Sequence, residues 1–386
     1  MANRKRILFL CSWYPNKNAP TLGNFVQKHA ESAALVNQIS VIGVFSHNEK
    51  GYLLENKLEN GVHTYIVYYP KVTFPFFIMK RLLQLYRTKK AFNLAYKEMV
   101  KNQGVPQLVH LNQVFPIGRF AVHLKKKFKI PFVVTENSTA YHMGSNRLPY
   151  LGLKHAISCM KKAERILPVS KDLQKSLTKL GVNVPMEIVP NVVNEHIFGD
   201  LQIEIPEKTS FLHVSTADDA HKNISGILRT IKKLSEITTN FHFRIISDGK
   251  IQPFIEMAYN QLNLSKDLIT FEGTKTTSEI AEAMNESTAF VLFSNYENLP
   301  CVILESLTVG KPVITTNVNG IPECIDESNG LLIEPRDEEK LLEAMLQFIN
   351  KETCFDNAKI KQEALKKYSY RAVGEAFDHI YNDILK

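Results

Sequence analysis

Short apolar strands alternate with amphipathic helices along the whole chain, and this alternation limits its fold more than any other feature. In the first half, β-rich runs are predicted at residues 7–12, 39–45, 64–69, 108–112, 132–136, 166–170 and 187–190. In the second half they are predicted at residues 211–215, 243–247, 269–273, 290–294, 313–316 and 330–333. Strands that are apolar throughout and separated by helices indicate parallel sheets covered on both faces. The sequence therefore predicts an α/β protein with two doubly wound, Rossmann-like domains.

The domain boundaries follow from turn residues and length. The chain has 386 residues, enough for about two domains. Turn residues after an apolar strand at 190–194 divide a first domain, 1–190, from a second, 191–366. An amphipathic helix within 367–386 is predicted to pack back on the first domain. Ligands bind doubly wound domains at the carboxyl ends of the strands, so two facing domains would enclose a cleft.

The composition excludes several classes of protein. Hydrophobic residues make up 44% and charged residues 22%, which is ordinary for a globular chain. No run approaches the roughly 18 apolar residues of a spanning helix. The five cysteines are far apart and form no CxxC pair, which favours a reducing, cytoplasmic setting. Bulky Trp13, Tyr14 and Pro15 follow the first apolar run, so we expect a strand there rather than an export signal.

The charge is distributed unevenly. The net charge is +8, but residues 1–190 carry +19 and residues 191–386 carry −11. Residues 74–101 combine apolar side chains at helical spacing with lysines and arginines, and a second basic cluster follows at 125–129. This pattern predicts an interfacial helix on an anionic membrane, on the inner face of the plasma membrane. It is also compatible with a core-packing helix that has a basic outer face. No nucleic-acid-binding signature accompanies the charge, so nucleic acid is not an expected partner.

The densest chemistry lies between residues 290 and 323. An apolar strand is followed by Glu297, Pro300, a helix containing Glu305, and then Gly310. Pro300 suits a first helical turn and Gly310 suits a helix end. The backbone N–H groups at the start of this helix would then be free to bind a phosphate. The two glutamates are eight positions apart, one expected in the turn and one inside the helix, which is too far for the roughly 5 Å pair of a retaining glycosidase. Separate carboxylates can instead accept hydrogen bonds from the hydroxyls of a nucleotide sugar.

This stretch resembles the retaining nucleotide-sugar glycosyltransferases of family four, which have the two-domain GT-B fold. Residues 297–305 resemble their E-x7-E signature, 310–323 its continuation, and 189–198 their interdomain segment. The resemblance implies that Glu305 binds the donor ribose and Glu297 the transferred sugar. It also implies that the backbone of Asn298, Leu299 and Pro300 contacts the sugar and the diphosphate, and it assigns Asn191 to donor binding.

Further positions follow from the same resemblance. Lys222 would be the cation that stabilises the diphosphate leaving group. The other expected donor contacts are Asp248 with Gly249 in a turn, Gly273 near the base, and Gly23 in the glycine loop after the first strand.

Two departures from the family pattern are evident. The family's arginine is replaced near Thr216, and its histidine by Asn137, which cannot exchange a proton near neutral pH. Asn137 is still assigned to the reacting sugar, while His110 and His142 are candidates only because they lie nearby in the sequence. The missing arginine and histidine raise the question of reduced activity.

The resemblance implies sugar transfer with retention, without a covalent intermediate on a second carboxylate. The expected partners are a nucleotide-sugar donor and a lipid-linked or polysaccharide acceptor, as in cell-envelope glycan synthesis. No cofactor is expected, and no metal, because no carboxylate cluster with metal-ligand spacing accompanies the donor motif. A nucleotide-sugar epimerase of the same fold and an inactive nucleotide-sugar-binding protein remain alternatives.

Overall fold

The fold is described from a computed structural model, which covers residues 4–142 and 148–386 in detail. The chain divides into two compact units. The first comprises Met1–Pro190 and Tyr370–Lys386, and the second comprises Asn191–Ser369. The C-terminal segment therefore belongs to the same unit as the N-terminus.

The described residues form two sheets and a set of helices. The strands are β1 (Arg6–Cys11), β2 (Gln38–His47), β3 (Leu53–Glu59), β4 (Val62–Pro70), β5 (Leu108–Asn112), β6 (Phe132–Glu136), β7 (Arg165–Pro168), β8 (Ser210–Thr216), β9 (His242–Asp248), β10 (Ile269–Glu272), β11 (Ala289–Leu292), β12 (Val313–Thr316) and β13 (Gly330–Ile333). The helices are α1 (Asn24–Ala34), α2 (Phe77–Gln103), α3 (Gly118–Phe128), α4 (Tyr150–Met160), α5 (Lys171–Lys179), α6 (Glu195–Phe198), α7 (Asp219–Lys222), α8 (Ile224–Ile237), α9 (Gln252–Glu256), α10 (Thr277–Asn285), α11 (Cys301–Val309), α12 (Glu338–Ile349), α13 (Asn357–Tyr368) and α14 (Tyr370–Leu385).

The first unit is built on a seven-stranded sheet in the order β3-β4-β2-β1-β5-β6-β7. Every pair is parallel except β3 with β4, which form an antiparallel hairpin at the edge. The central strands β5 and β6 are buried along their whole length. Burial along the whole strand shows that both faces of the sheet are covered here.

The C-terminal helix α14 packs against α1 in the first unit. A side chain at Gly374 would lie 2.4 Å from the carbonyl oxygen of Ser32, so only glycine allows this close approach. The Ser32 hydroxyl donates to the Tyr370 carbonyl oxygen at 2.9 Å, and the Tyr370 hydroxyl donates to Glu31 at 2.6 Å. Buried Phe377 adds apolar contact on the same face of α14.

The second unit is built on a six-stranded, all-parallel sheet in the order β10-β9-β8-β11-β12-β13. Its core contains fully buried side chains from several strands, among them Phe211, Phe243, Val291 and Ile314. The strand order reverses between β8 and β11, because β9 lies on one side of β8 and β11 on the other. A ligand site is expected at such a reversal, at the carboxyl ends of the two strands.

The structure corrects three local predictions. Residues 187–190 are not a strand: this segment makes two isolated backbone hydrogen bonds to β7, and its last residue, Pro190, has no N–H. The edge strand β3 and the helix α4 were not predicted. Pro300 precedes α11 rather than occupying its first turn, while Gly310 ends that helix with φ of 99°, as predicted.

Candidate active site

The candidate site of the second unit lies where the strand order reverses, at the carboxyl ends of β8 and β11. The segment after β8 contains α7, whose last residue is Lys222. The segment after β11 leads through Glu297 to the start of α11. The fold thus brings two residues together that are 75 positions apart in the sequence.

Lys222 and Glu297 form an ion pair between the Lys222 Nζ and the Glu297 Oε1 atoms. The Ser294 hydroxyl donates to the same carboxylate oxygen at 2.8 Å. The two side chains are 16% and 11% exposed, so the pair is largely withdrawn from water. An ammonium and a carboxylate at a strand-order reversal can together bind a ligand that carries both negative charge and hydroxyl groups.

Residues 298–300 form the approach to α11. The Asn191 side chain donates through Nδ2 to the Leu299 carbonyl oxygen at 2.8 Å. Asn191 is buried, and its Oδ1 atom has no hydrogen-bond partner within the described part of the chain. The structure therefore places Asn191 behind this loop as a positioning residue. Asn298 and Leu299 are buried and Pro300 caps the helix, so the backbone here is held in one conformation.

Glu305 lies inside α11 and is 7% exposed. Its neighbours on the helix are almost all buried, including Leu304 and Ser306. An acid in this setting needs polar partners, since burial of an unpaired carboxylate is costly. Glu305 and Glu297 thus differ in setting: the first lies within the helix and the second lies in the loop before it.

The remaining predicted donor residues of the second unit lie at the ends of β9 and β10. Asp248 is the last residue of β9, and its carbonyl oxygen accepts a hydrogen bond of 3.0 Å from Ala217 N. Gly249 follows with φ of 88°, a conformation that favours glycine. Gly273 follows β10, and a side chain there would meet nothing within 4 Å. Steric contacts therefore do not require glycine at position 273.

A buried histidine lies beneath this site and was not predicted. His213 on β8 bonds through Nδ1 to the Val291 carbonyl oxygen at 2.9 Å and through Nε2 to the Ser215 hydroxyl at 2.7 Å. Burial, together with a smaller effect of the Lys222 charge, lowers its pKa to about 4, although the hydrogen bond to Val291 opposes the shift. His213 is thus a neutral group that joins β8 to β11 below the ion pair. A histidine inside an otherwise apolar strand is the sequence signal that could have identified it.

In the first unit, Gly23 has a packing role. It stands before α1 with φ of 68°, and a side chain would lie 2.7 Å from the backbone carbonyl carbon of Trp13. Both the dihedral angle and the contact require glycine. The structure thus explains this glycine without a ligand, and its predicted contact with a donor phosphate stays a prediction.

Asn137 follows β6 in the first unit, next to a buried acid that the sequence did not single out. The Glu136 carboxylate accepts hydrogen bonds from the backbone N–H groups of Val114, Asn137 and Ser138 at 3.1–3.2 Å. Burial raises the pKa of Glu136 to about 7, although these hydrogen bonds oppose the shift. Glu136 therefore fixes the loops that follow β5 and β6. A carboxylate at the end of a strand that begins with three apolar residues is a signal that could have pointed to it.

The two candidate histidines of the first unit have different settings. His110 is fully buried and bonds to the Tyr381 hydroxyl at 2.5 Å and to the Thr135 hydroxyl at 2.6 Å, so it serves packing. His142 bonds through Nε2 to the Asp172 carboxylate at 2.6 Å, at the first turn of α5. This carboxylate orients the ring of His142, as an acid–base histidine requires.

The two basic segments also occupy defined positions. The segment 74–101 falls mainly on α2, whose second half is buried through Ala91, Phe92, Ala95 and Met99, whereas its first half is exposed. The second half therefore packs against the core, as one of the two descriptions predicts, while the interfacial role of the exposed first half stays a prediction. The cluster 125–129 ends α3, where Lys125 pairs with Glu164 at 2.7 Å.

Two features are absent from the part of the chain that the structure describes. Across 4–142 and 148–386, no helix combines the length and apolar character needed to cross a bilayer. Over the same ranges, no group of three or more histidine, cysteine or acidic side chains is arranged to hold a metal ion.

Known proteins share both the sequence pattern and the fold. The family described as "Glycosyl transferases group 1" matches residues 208–351, and "Glycosyltransferase Family 4" matches residues 33–196. An uncharacterized glycosyltransferase of Methanocaldococcus jannaschii is 28% identical over 297 residues, covering 75% of this chain and 78% of its own. A putative teichuronic acid biosynthesis glycosyltransferase of Bacillus subtilis, TuaC, is 22% identical and covers 89% of both chains. The crystal structure of Anabaena Alr3699/HepE in complex with UDP superposes with a TM-score of 0.70 at 13% identity, over 98% of this chain and all of that one.

Two parallel-dominated α/β sheets, each in its own unit, define a GT-B protein, as predicted from the sequence. The two matched ranges together span most of the chain, and the gap between them follows shortly after the boundary between the units. The chain belongs to the family-four glycosyltransferases.

Proposed function

We propose that this chain is a retaining glycosyltransferase that moves a sugar from a nucleotide-diphosphate donor to a lipid-linked or polysaccharide acceptor in cell-envelope glycan synthesis. The observation that carries the proposal is the convergence of Lys222, Glu297 and the start of α11 at the strand-order reversal of the second unit. UDP in the structurally similar HepE and the teichuronic acid role of the related TuaC point to the same donor and acceptor chemistry.

The proposed roles follow from the chemistry of each group. The Lys222 ammonium and the N–H groups at the start of α11 offset the charge that develops on the leaving diphosphate. Glu297 accepts hydrogen bonds from hydroxyls of the transferred sugar, and Glu305 accepts them from the ribose. Asn191 holds the loop at Leu299 against which the donor lies.

The proposed reaction retains the configuration of the transferred sugar. The bond between the anomeric carbon and the diphosphate oxygen breaks as the acceptor hydroxyl approaches on the same face. The departing diphosphate oxygen takes up the proton of that hydroxyl. Charge on the diphosphate is offset by protein groups, and we expect transfer to continue without a divalent cation.

We further propose that the protein lies peripherally on the inner face of the plasma membrane, where its acceptor is anchored. The excess of +19 charges in residues 1–190 would attract the anionic leaflet. The exposed apolar side chains in the first half of α2, such as Phe77 and Ile78, would enter the interface.

A transfer assay with native membranes tests this function. Radiolabelled UDP-, GDP- and CDP-sugars are incubated with the purified full chain and membranes of the source cells, with and without EDTA. We expect label in the lipid or polysaccharide fraction with one donor, unchanged by EDTA and lost in Glu297→Gln. Donor binding without any labelled product would contradict the proposal and favour a nucleotide-sugar-binding protein.

A further inference from the structure

The first half of α2 and the loop before it expose an unusual amount of apolar surface. We call residues 74–86 the apolar segment. Its exposed large side chains are Phe74, Phe76, Phe77, Ile78, Met79, Leu82, Leu85 and Tyr86. Phe77 and Ile78 are 75% and 72% exposed. Scattered apolar residues are common on protein surfaces, but a contiguous group of this size indicates a binding surface.

Four basic side chains stand on the helices around this segment, and three of them are near enough to the fourth, His155, for their charges to act on it. They are Arg81 on α2, Arg119 on α3, His155 on α4 and Lys162 just after α4, and we call them the basic site. The Arg119 Nη2 group donates to the Thr88 hydroxyl of α2, and α3 packs against α4, so the helices are held together. Burial lowers the pKa of His155, and the charges of Arg119, Lys162 and Arg81 lower it further.

The basic site has no counter-charge within the described residues. None of its four side chains forms an ion pair with a carboxylate in the described ranges. The Nε atom of Arg119 is buried and has no hydrogen-bond partner there. The Arg119 guanidinium lies 4.8 Å from the centre of the Phe120 ring, a cation–π contact that neutralises none of its charge. Several like charges without a carboxylate partner destabilise the free protein, and a bound anion would remove this cost.

We propose that the basic site binds the phosphate group of an anionic membrane lipid while the apolar segment enters the lipid interface beside it. This inference rests on the membrane association proposed above, and it names the lipid group that is recognised and the residues that recognise it. A planar guanidinium binds phosphate oxygens through paired N–H groups, which suits Arg81 and Arg119.

A lipid accounts for both features of this surface, whereas other anions account for one. A free phosphate would leave the apolar segment in water. A single-stranded nucleic acid would use the aromatic rings for base stacking, but it would find no use for the aliphatic Ile78, Met79, Leu82 and Leu85. An interfacial helix uses both aliphatic and aromatic side chains, with basic groups at the phosphate level.

Vesicle sedimentation of the full chain tests the proposal. The vesicles are phosphatidylcholine alone, or phosphatidylcholine with one-third phosphatidylglycerol. The variant Arg81→Gln/Arg119→Gln is compared with the control variant Lys97→Gln/Lys101→Gln, which removes the same amount of charge. Both control positions are exposed on α2, and Lys97 lies about 24 Å along the helix from Arg81. We expect the first pair to weaken binding to the phosphatidylglycerol vesicles at least about tenfold, and the control pair by less than about threefold. Equal losses in the two pairs would overturn the proposed site, because diffuse charge would then explain the binding.

Two further measurements keep the test decisive. Arg81→Gln alone changes an exposed side chain, so it carries the test if the Arg119 variant lowers the melting temperature. Wild-type binding to a labelled single-stranded RNA that is tighter than binding to vesicles, and lost in Arg81→Gln, would overturn the lipid assignment. The thermal shift that a nucleotide induces is measured in parallel. If the protein shows this shift but does not bind vesicles, the lipid site is rejected and the donor site is not. If the protein binds vesicles but shows no shift with any nucleotide, the donor site is rejected and the lipid site is not.

Discussion

Lys222 and Glu297 form an ion pair between the segments that follow β8 and β11, where the strand order of the second sheet reverses. The Ser294 hydroxyl holds the same carboxylate oxygen at 2.8 Å. The pair fixes the proposed diphosphate cation beside the proposed sugar-binding acid. In the donor complex, we expect phosphate oxygens to replace the carboxylate as the main partner of the ammonium.

Removal of either partner is therefore expected to impair transfer, and the two effects should not add. Lys222→Gln is predicted to lower kcat by about 10²–10³, because a charge-stabilising donor to the leaving group is lost. Glu297→Gln should lower kcat to a similar extent. A double-mutant cycle on kcat is expected to give a coupling energy of about 0.5–3 kcal/mol, and strictly additive losses would contradict joint action at one donor.

The hydrogen bond from Asn191 to the Leu299 carbonyl oxygen gives a second prediction. Asn191→Ala leaves a buried carbonyl without its donor, which is expected to destabilise the second unit by about 1–3 kcal/mol. It should also raise KM for the donor more than it lowers kcat, because the loop at 298–300 loses its support. Asn350→Ala, in an exposed side chain at the end of α12, is the control. An unchanged KM in Asn191→Ala would show that the loop does not depend on this contact.

Gly23 gives a prediction for the first unit. Gly23→Ala forces a side chain against the backbone of Trp13 at a φ of 68°, and is expected to destabilise the first unit by about 1–3 kcal/mol. The chain contains one tryptophan, Trp13 itself, so its fluorescence reports on this unit during urea unfolding. Gly51→Ala, where φ is also positive but nothing lies within 4 Å, separates the two causes. Equal losses in both variants would leave no role for the contact with Trp13.

Because His29 is buried, we expect the free energy of unfolding to fall in acid. Its Nε2 atom bonds to the Pro190 carbonyl oxygen at 3.3 Å, and its Nδ1 atom is buried without a partner in the described chain. Burial lowers the pKa of His29 to about 4 from 6.5, so the folded state favours the neutral ring. The stabilisation is complete above pH 6.5 and is lost as pH falls towards 4.

Urea unfolding followed by Trp13 fluorescence checks this pH dependence. From pH 6.5 to 4, wild type should lose up to about 3 kcal/mol more stability than His29→Leu, which has no group to protonate at this position. The same slope in both proteins would show that His29 does not contribute.

The sequence predicts the elements of the candidate site in the second unit well, because several local signals coincide there. An apolar strand, a proline and a terminal glycine mark the segment that forms β11 and α11. The prediction for Pro300 is wrong by one residue, because Pro300 lies immediately before α11 and not in its first turn. Strands β5 and β6 have the predicted bounds 108–112 and 132–136. These elements are specified by periodicity and by residues that begin or end a helix, which a single sequence displays directly.

The features that the sequence did not predict depend on distant contacts. The edge strand β3 contains charged residues such as Glu55 and Lys57 and becomes a strand by pairing with β4. The segment 187–190 has strand-like residues but too few paired N–H groups. Glu136 and His213 lie in apolar strands, and their roles follow from loops and strands that the chain reaches only on folding. Residue type suggests such groups, but their partners are set by the tertiary structure.

The central claim is that a nucleotide diphosphate binds the second unit through Glu305, with Lys222 and Glu297 beside it. Thermal-shift titration with UDP, GDP and CDP, on wild type, Glu305→Ala and the exposed control Glu343→Ala, tests it most directly. We predict that one nucleotide stabilises wild type and the control, by about 2.7 kcal/mol at a hundred times its Kd, and leaves Glu305→Ala unshifted with a nearly unchanged melting temperature without ligand. A full shift in Glu305→Ala, or its collapse without ligand, would contradict the claim.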